Sequence, residues 1–155
     1  MKAPKKPLRK ERGIPSRAGK TIQELRVGDS ARLSKEVTEV ELDHFAQATG
    51  DFNPVHFDEA YAKKTLFGGR VAHGVLAIGF ISALFGNLFP GPGTIYLSQE
   101  VRFLAPVRIG DTLTVTAEVM EMIQEKNRVK FKTTCANQAG EIVLDGIAWV
   151  KPPTL

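Results

Sequence analysis

Residues 74–88 constrain the fold of this chain more than any other stretch. From Gly74 to Leu88 the apolar residues Val75, Leu76, Ile78, Phe80, Ile81, Leu84 and Phe85 fall on nearly every face of a helical wheel. A helix that is apolar all round is enclosed by the rest of the protein rather than laid on its surface. The wider apolar run, Val71 to Phe89, is interrupted by His73, Ser82 and Asn87 and stopped by Pro90. It is short for a membrane span and fits a core helix, so no membrane partner is expected.

What encloses the helix follows it in the chain. Leu113, Val115, Ala117 and Val119 alternate with Thr112, Thr114, Thr116 and Glu118. Val129, Phe131, Thr133 and Cys135 alternate with Arg128, Lys130, Lys132 and Thr134. A period of two marks half-buried strands. Asn137-Gln138-Ala139-Gly140 reads as a hairpin turn into a returning strand, Glu141 to Val150. Thr94 to Leu104 reads as a further strand after the loop Pro90-Gly91-Pro92-Gly93, and Ala31 to Val37 as the first. No βαβ alternation appears. The class is α+β with an antiparallel sheet, and a curved sheet wrapped around the long apolar central helix is the simplest way to bury it.

Between the first strand and that helix lies the chemistry. Thr38-x-x-Glu41 is the pattern of a capping box. It opens a helix carrying Val40, Leu42, Phe45, Ala46 and Ala48 that Gly50 stops. Gly50-Asp51-Phe52-Asn53-Pro54-Val55-His56 then forms a bend, because Pro54 drives Asn53 out of the helical region. Asp58 caps a short helix through Tyr61 and Lys64. The bend sets a carboxylate, Asp51, and an imidazole, His56, five residues apart and able to turn to one point, the requirement for a general acid/base pair. A turn-forming Asp and a hydrogen-bonded loop His would be the plain alternative. His73-Gly74 stands at the mouth of the apolar helix. A first-turn N–H at Gly74 has no helical acceptor and no Cβ in front of it, so it suits a developing oxyanion. Together these groups point to an enzyme that adds or removes water beside a carbonyl.

Other chemistries fit less well. The three histidines show no His-x-x-x-His spacing and there is no Cys-x-x-Cys, so no metal is expected. No Gly-x-Ser-x-Gly is present, and Gly91-Pro92-Gly93 lacks the Lys-Ser/Thr of a nucleotide loop. Cys135, the only cysteine, sits in a strand-like alternation and reads as a buried, inert thiol.

Charge is uneven. Residues 1–20 hold eight Lys/Arg against Glu11 alone, a net +7 that leaves −3 for residues 21–155 of a chain total of +4. These residues read as a basic, flexible arm preceding a single domain at 21–155. They lack aromatics and any recognition motif, so nucleic acid is not the expected partner. They also lack the apolar core of a secretory signal, and a cytoplasmic protein is expected.

Two strings carry a resemblance. Gly50 to Ala60 and Phe67-Gly68-Gly69-Arg70-Val71-Ala72-His73-Gly74 closely resemble the hydratase motif of MaoC-like proteins, hot-dog-fold enzymes typified by the R-specific enoyl-CoA hydratases. The likeness continues through Gly93 to Gln99 and Pro106 to Asp111 and spans about residues 25–150. It implies a hot-dog fold paired into a homodimer, with Asp51 and His56 holding the catalytic water and Gly74 giving the oxyanion N–H. The activity implied is reversible hydration of trans-2-enoyl-CoA to (R)-3-hydroxyacyl-CoA, with the CoA thioester as substrate and no cofactor. Storage-polyester supply and fatty-acid metabolism are both compatible. Ile78, Ser82 and Phe85 follow Gly74 at helical spacing and either line an acyl tunnel or are plain core; the resemblance puts the positions of Ser82 and Phe85 in the acyl pocket. A 3-hydroxyacyl-ACP dehydratase, whose acidic acyl carrier protein the basic arm would attract, stays open, as does a non-catalytic acyl-thioester or nucleic-acid-binding module.

Overall fold

Five strands form where the alternation predicts them: β1 (Ser30–Glu36), β2 (Ile95–Phe103), β3 (Thr112–Ile123), β4 (Arg128–Ala136) and β5 (Ile142–Lys151). The computed structural model describes residues 17–154. They pair throughout as antiparallel neighbours in one sheet of order β1-β3-β4-β5-β2. β3 continues past Val119, where the alternation fails. Its register with β4 shifts between Val119 and Glu121, and this bulge hides the strand's last four residues from a period-two reading. Most of the expected basic arm, residues 1–16, lies outside the described residues. Within its last residues the Gly19 N–H donates to Pro92 O at 3.2 Å and the Lys20 N–H to Pro90 O at 2.7 Å.

The helices are α1 (Glu39–Thr49), α2 (Pro54–Phe57), α3 (Glu59–Ala62) and α4 (Val75–Asn87). At the start of α1 the Thr38 hydroxyl accepts from the Val40 N–H at 3.2 Å, and Glu41 Oε2 accepts from the Thr38 N–H at 2.9 Å. The Thr38 hydroxyl also bonds Glu41, and these contacts hold the Glu41 carboxyl down at about 2. Asp58 caps α3 by accepting from the Tyr61 N–H at 3.0 Å.

Helix α4 packs on one face of the sheet, against β1, β2 and β3. Leu76, Ala77, Phe80, Ile81, Leu84 and Phe85 are buried against Leu113, Val115, Val119, Phe131 and Val150. The rings of Phe85 and Phe89 stand 5.0 and 5.8 Å from that of Phe131. Each such side chain removed from water stabilises the fold by about 1.5–3 kcal/mol. The composition predicts a helix buried on all sides, and the structure corrects this: one face is open. Val75 is 48% exposed, and Gly79 and Ser82 on the same face are exposed too. One five-stranded sheet covers only one side of a helix, so in a single chain the other side stays open. Among the described residues no helix is long and apolar enough to cross a membrane.

A polar network sits at the outer strand. The register of β2 with β5 shifts between Tyr96 and Ser98, so Tyr96 and Gln99, three residues apart, both face inward opposite buried Val150 and Ala148. Tyr96 donates its hydroxyl to Gln99 Oε1, and Gln99 Nε2 donates to Thr133 Oγ1 at 2.9 Å and Glu100 O at 2.8 Å. Gly146 makes the space: a Cβ there would run into the Glu100 carbonyl oxygen and come within 2.9 Å of Gln99 Nε2.

Candidate active site

The site begins where α1 ends. Gly50 takes the left-handed conformation, φ 81°, with its N–H on Ala46 O at 2.7 Å, a geometry that costs other residues free energy. The segment beyond it is more ordered than a bend. Asn53 is extended, as a residue before proline must be, and its side chain accepts from the Val55 N–H at 3.2 Å. Pro54, with φ already set for a helix and no N–H to satisfy, starts the single turn α2. That turn carries His56 inward to 8% exposure. Arg70 fastens it from outside: its Nε donates to His56 O at 2.7 Å while its two terminal nitrogens grip Glu39 of α1 at 2.7 and 2.8 Å. This clamp had no signal in the sequence beyond the identities of Arg70 and Glu39, 31 residues apart.

His56 has a defined tautomer. Its Nδ1 lies 2.7 Å from Val71 O, a carbonyl that only accepts, so Nδ1 carries the proton and Nε2 keeps its lone pair. Burial, the largest influence, lowers its pKa from the ordinary histidine value, against the Val71 bond, which raises it. The imidazole is therefore neutral and basic at neutral pH. Asp51 is half-buried, and its Oδ1 accepts from the Asn53 N–H at 3.2 Å. The structure brings Asp51 and His56 together, as the motif predicts, and adds His73: one donor atom from each of the three lies within 4.8 Å of the others. Such a set has the chemistry to hold a cation. Two of its imidazole nitrogens, His56 Nδ1 and His73 Nε2, are already committed to carbonyls, however, and the His56 and His73 rings overlap at a tilt of 33°, centroids 3.9 Å apart.

A cavity of about 530 Å³ opens beside His56. Val71, Ala72, Gly74, Phe103, Val107 and Leu144 are among its mainly apolar walls. Gly74 is the N-cap of α4, so its N–H has no acceptor within the helix. A Cβ on Gly74 would lie 3.0 Å from the Phe103 ring, a tight contact that the ring would have to yield to, so glycine keeps both the packing and the access open. Asp51 does not line this cavity, nor do Ile78, Ser82 and Phe85. Ser82 is exposed on the open face of α4, Ile78 is half-buried against the core, and Phe85 packs on Tyr96 and Phe131. The walls that sequence reasoning missed come from the end of β2 and the connection after it, from Leu66 and Phe67, and from Val143 and Leu144 of β5. The apolar run Phe103-Leu104-Ala105-Pro106 was a signal for the first of these. Cys135 is fully buried and its thiol is pushed up to about 12, which removes it as a nucleophile.

Residues 23–140 match the family model described as "MaoC like domain". The chain belongs to the MaoC-like family. A MaoC-like relative in Rhodospirillum rubrum, an (R)-specific enoyl-CoA hydratase, is 47% identical over 132 residues, 85% of this chain and 91% of its own. A 3-hydroxybutyryl-CoA dehydratase of Methylorubrum extorquens is also 47% identical over 132 residues, 85% of this chain and 83% of its own. The unliganded R-hydratase PhaJ1 of Pseudomonas aeruginosa is similar in structure, with a TM-score of 0.82 at 47% identity over 87% of this chain and 86% of its own. The α+β hot-dog fold expected from the motif is the fold of this MaoC-like chain.

Proposed function

We propose that this protein is an R-specific enoyl-CoA hydratase, a hydro-lyase that adds water reversibly to a trans-2-enoyl-CoA and gives the (R)-3-hydroxyacyl-CoA. The observation that carries the reading is the meeting of Asp51 and His56 next to a cavity that also reaches the Gly74 N–H. Asp51 and the free Nε2 of His56 hold a water molecule between them. As its oxygen bonds to C3, the pair takes its proton, the C2–C3 π electrons form a C1–C2 double bond and the carbonyl π pair moves onto the thioester oxygen. The Gly74 N–H and the start of α4 stabilise that enolate, whose collapse takes a proton from the Asp51/His56 pair onto C2. The thioester itself acidifies C2, so the chemistry needs no cofactor. The acyl tail enters the apolar cavity lined by Val71, Ala72, Gly74, Phe103 and Leu144. Ile78, Ser82 and Phe85 lie further along α4 than the residues that wall it, so a long tail meets them only beyond this cavity.

The functional unit is a homodimer. Strand β2 ends the sheet with unpaired N–H and C=O groups and exposes Ile95 and Leu97, and the open face of α4 borders it. A free apolar edge is a liability that a second copy removes, and the same copy covers Ser82.

The test is the loss of the conjugated enoyl-thioester absorbance when crotonyl-CoA and longer homologues meet the purified protein. Activity without added metal or nucleotide is expected. Silence on every chain length would overturn the reading, and activity confined to carrier-protein thioesters would move it to a carrier-protein dehydratase. Light scattering is expected to give twice the chain mass. Phe85→Ala is expected to raise turnover of long enoyl-CoAs relative to crotonyl-CoA, read as a ratio on folded protein.

A further inference from the structure

Behind the proposed catalytic pair lies a third side chain whose placement packing alone does not explain. His73 is 2% exposed. Its ring forms a slab between Phe45 of α1, at 4.6 Å between centroids, Phe57 of α2, at 5.8 Å, and His56 itself, at 3.9 Å and a tilt of 33°. A phenyl ring would fill that slab as well. What a phenyl ring lacks is the polar edge. His73 Nε2 lies 3.0 Å from the backbone oxygen of Asp51, which only accepts, so Nε2 carries the ring proton. That leaves His73 Nδ1 buried without a partner among the described residues. Burying an unpaired nitrogen costs free energy, and an apolar slab would avoid the cost. The imidazole is thus retained for the one bond that it makes.

We propose that His73 is a positioning residue: its Nε2–H holds the Asp51 backbone while its ring face backs the His56 imidazole, so that one side chain sets the distance between the two groups that grip the water. The proposal rests on the reading of Asp51 and His56 as the catalytic pair. Asp51 follows the left-handed Gly50, and its own side chain bonds only the local Asn53 N–H, so the backbone there has no other long-range tether in the cluster. Without it the carboxylate is free to shift relative to His56, which Val71 and Arg70 hold on the far side of the turn. A shift of about 1 Å in a reacting group is enough to cost on the order of 100-fold in rate.

Three variants test this by steady-state kinetics on enoyl-CoA, each checked for folding by circular dichroism and melting. His73→Phe keeps the slab and loses the donor; kcat is expected to fall about 10- to 100-fold with KM within a few-fold of the parent. His73→Gln keeps an N–H at the reach of Nε2 and is expected to recover most of the kcat. Asp51→Asn is expected to lose about 10²–10⁴-fold. Adding His73→Phe to Asp51→Asn should then cost nothing more, because both act on one group. A folded His73→Phe that turns over like the parent, or losses that multiply in the double variant, would overturn the positioning role. Full activity in Asp51→Asn would instead overturn the catalytic pair, so the two failures are distinct. Should His73→Phe not fold, nitrogen NMR of the unaltered protein decides: the Nε2–H tautomer of His73 is expected, and the Nδ1–H tautomer overturns the proposal.

Discussion

Two partly buried polar clusters among the described residues are built on opposite terms. In the Tyr96–Gln99–Thr133 network the donors meet acceptors inside the protein, and Gly146 is shaped to admit the amide. In the Asp51–His56–His73 cluster two histidine nitrogens are spent on carbonyls, one is left toward a cavity and another is buried without a partner. A closed polar network fixes geometry and is inert; an open one keeps proton acceptors available where a substrate fits. The first pins the outer strand over the core, and the second is where the proposed chemistry lies.

The contrast breaks most visibly in turnover. Asp51→Asn or His56→Asn is expected to reduce the hydration rate by about 10²–10⁴-fold while the melting temperature stays close to that of the parent. Near-normal turnover in either would make the open cluster as inert as the closed one. The reverse is expected across the sheet. Gly146→Ala puts a methyl group into the Glu100 carbonyl and should cost about 3 kcal/mol in urea denaturation, with turnover per folded molecule retained. A smaller cut sharpens the point: Thr133→Val removes one acceptor of Gln99 and leaves its bond to Glu100, so a loss of about 1 kcal/mol in stability is expected and none in rate. A fall in kcat at Thr133 would mean that the closed network also serves the site.

The smallest effect belongs to neither cluster. Glu41 in the α1 cap is held down to about 2, foremost by the Thr38 hydroxyl. Its folded pKa lies below the unfolded value of about 4.3, so its contribution is fully present above that value and is lost as pH falls toward about 2. The stability gap between the parent and Glu41→Gln, from urea denaturation at pH 7 and pH 3, should therefore narrow at the lower pH. Turnover at pH 7 should not change.

What was legible in the sequence was local. The sequence pattern placed the strands within a residue or two except in the last four residues of β3, where the bulge after Val119 shifts the phase. The Thr38–Glu41 box, the Gly50 stop and the Asp58 cap are each contained within a few residues, and each forms as the pattern predicts. The Asp51-to-His56 string was long enough to point to the pair by itself. The turn α2 was hidden because Asn53-Pro54 reads equally as a break and as a helix start, and only the Asn53 side chain on Val55 decides between them.

The amino-acid sequence by itself determined the α+β class, the apolar helix, the strand segments and the candidate acid and base, because periodicity, capping and turn chemistry act over one to a few turns of chain. Only the tertiary structure decided the strand order, the open side of α4, the pairing of Tyr96 with Gln99 across a bulge, the Arg70–Glu39 clamp and the stacking of His73 on His56. It also decided that Ile78, Ser82 and Phe85, one helix face by spacing, have three different surroundings in the single chain. These depend on contacts between residues far apart in the chain, and no local pattern encodes which distant surfaces will meet when the core is buried.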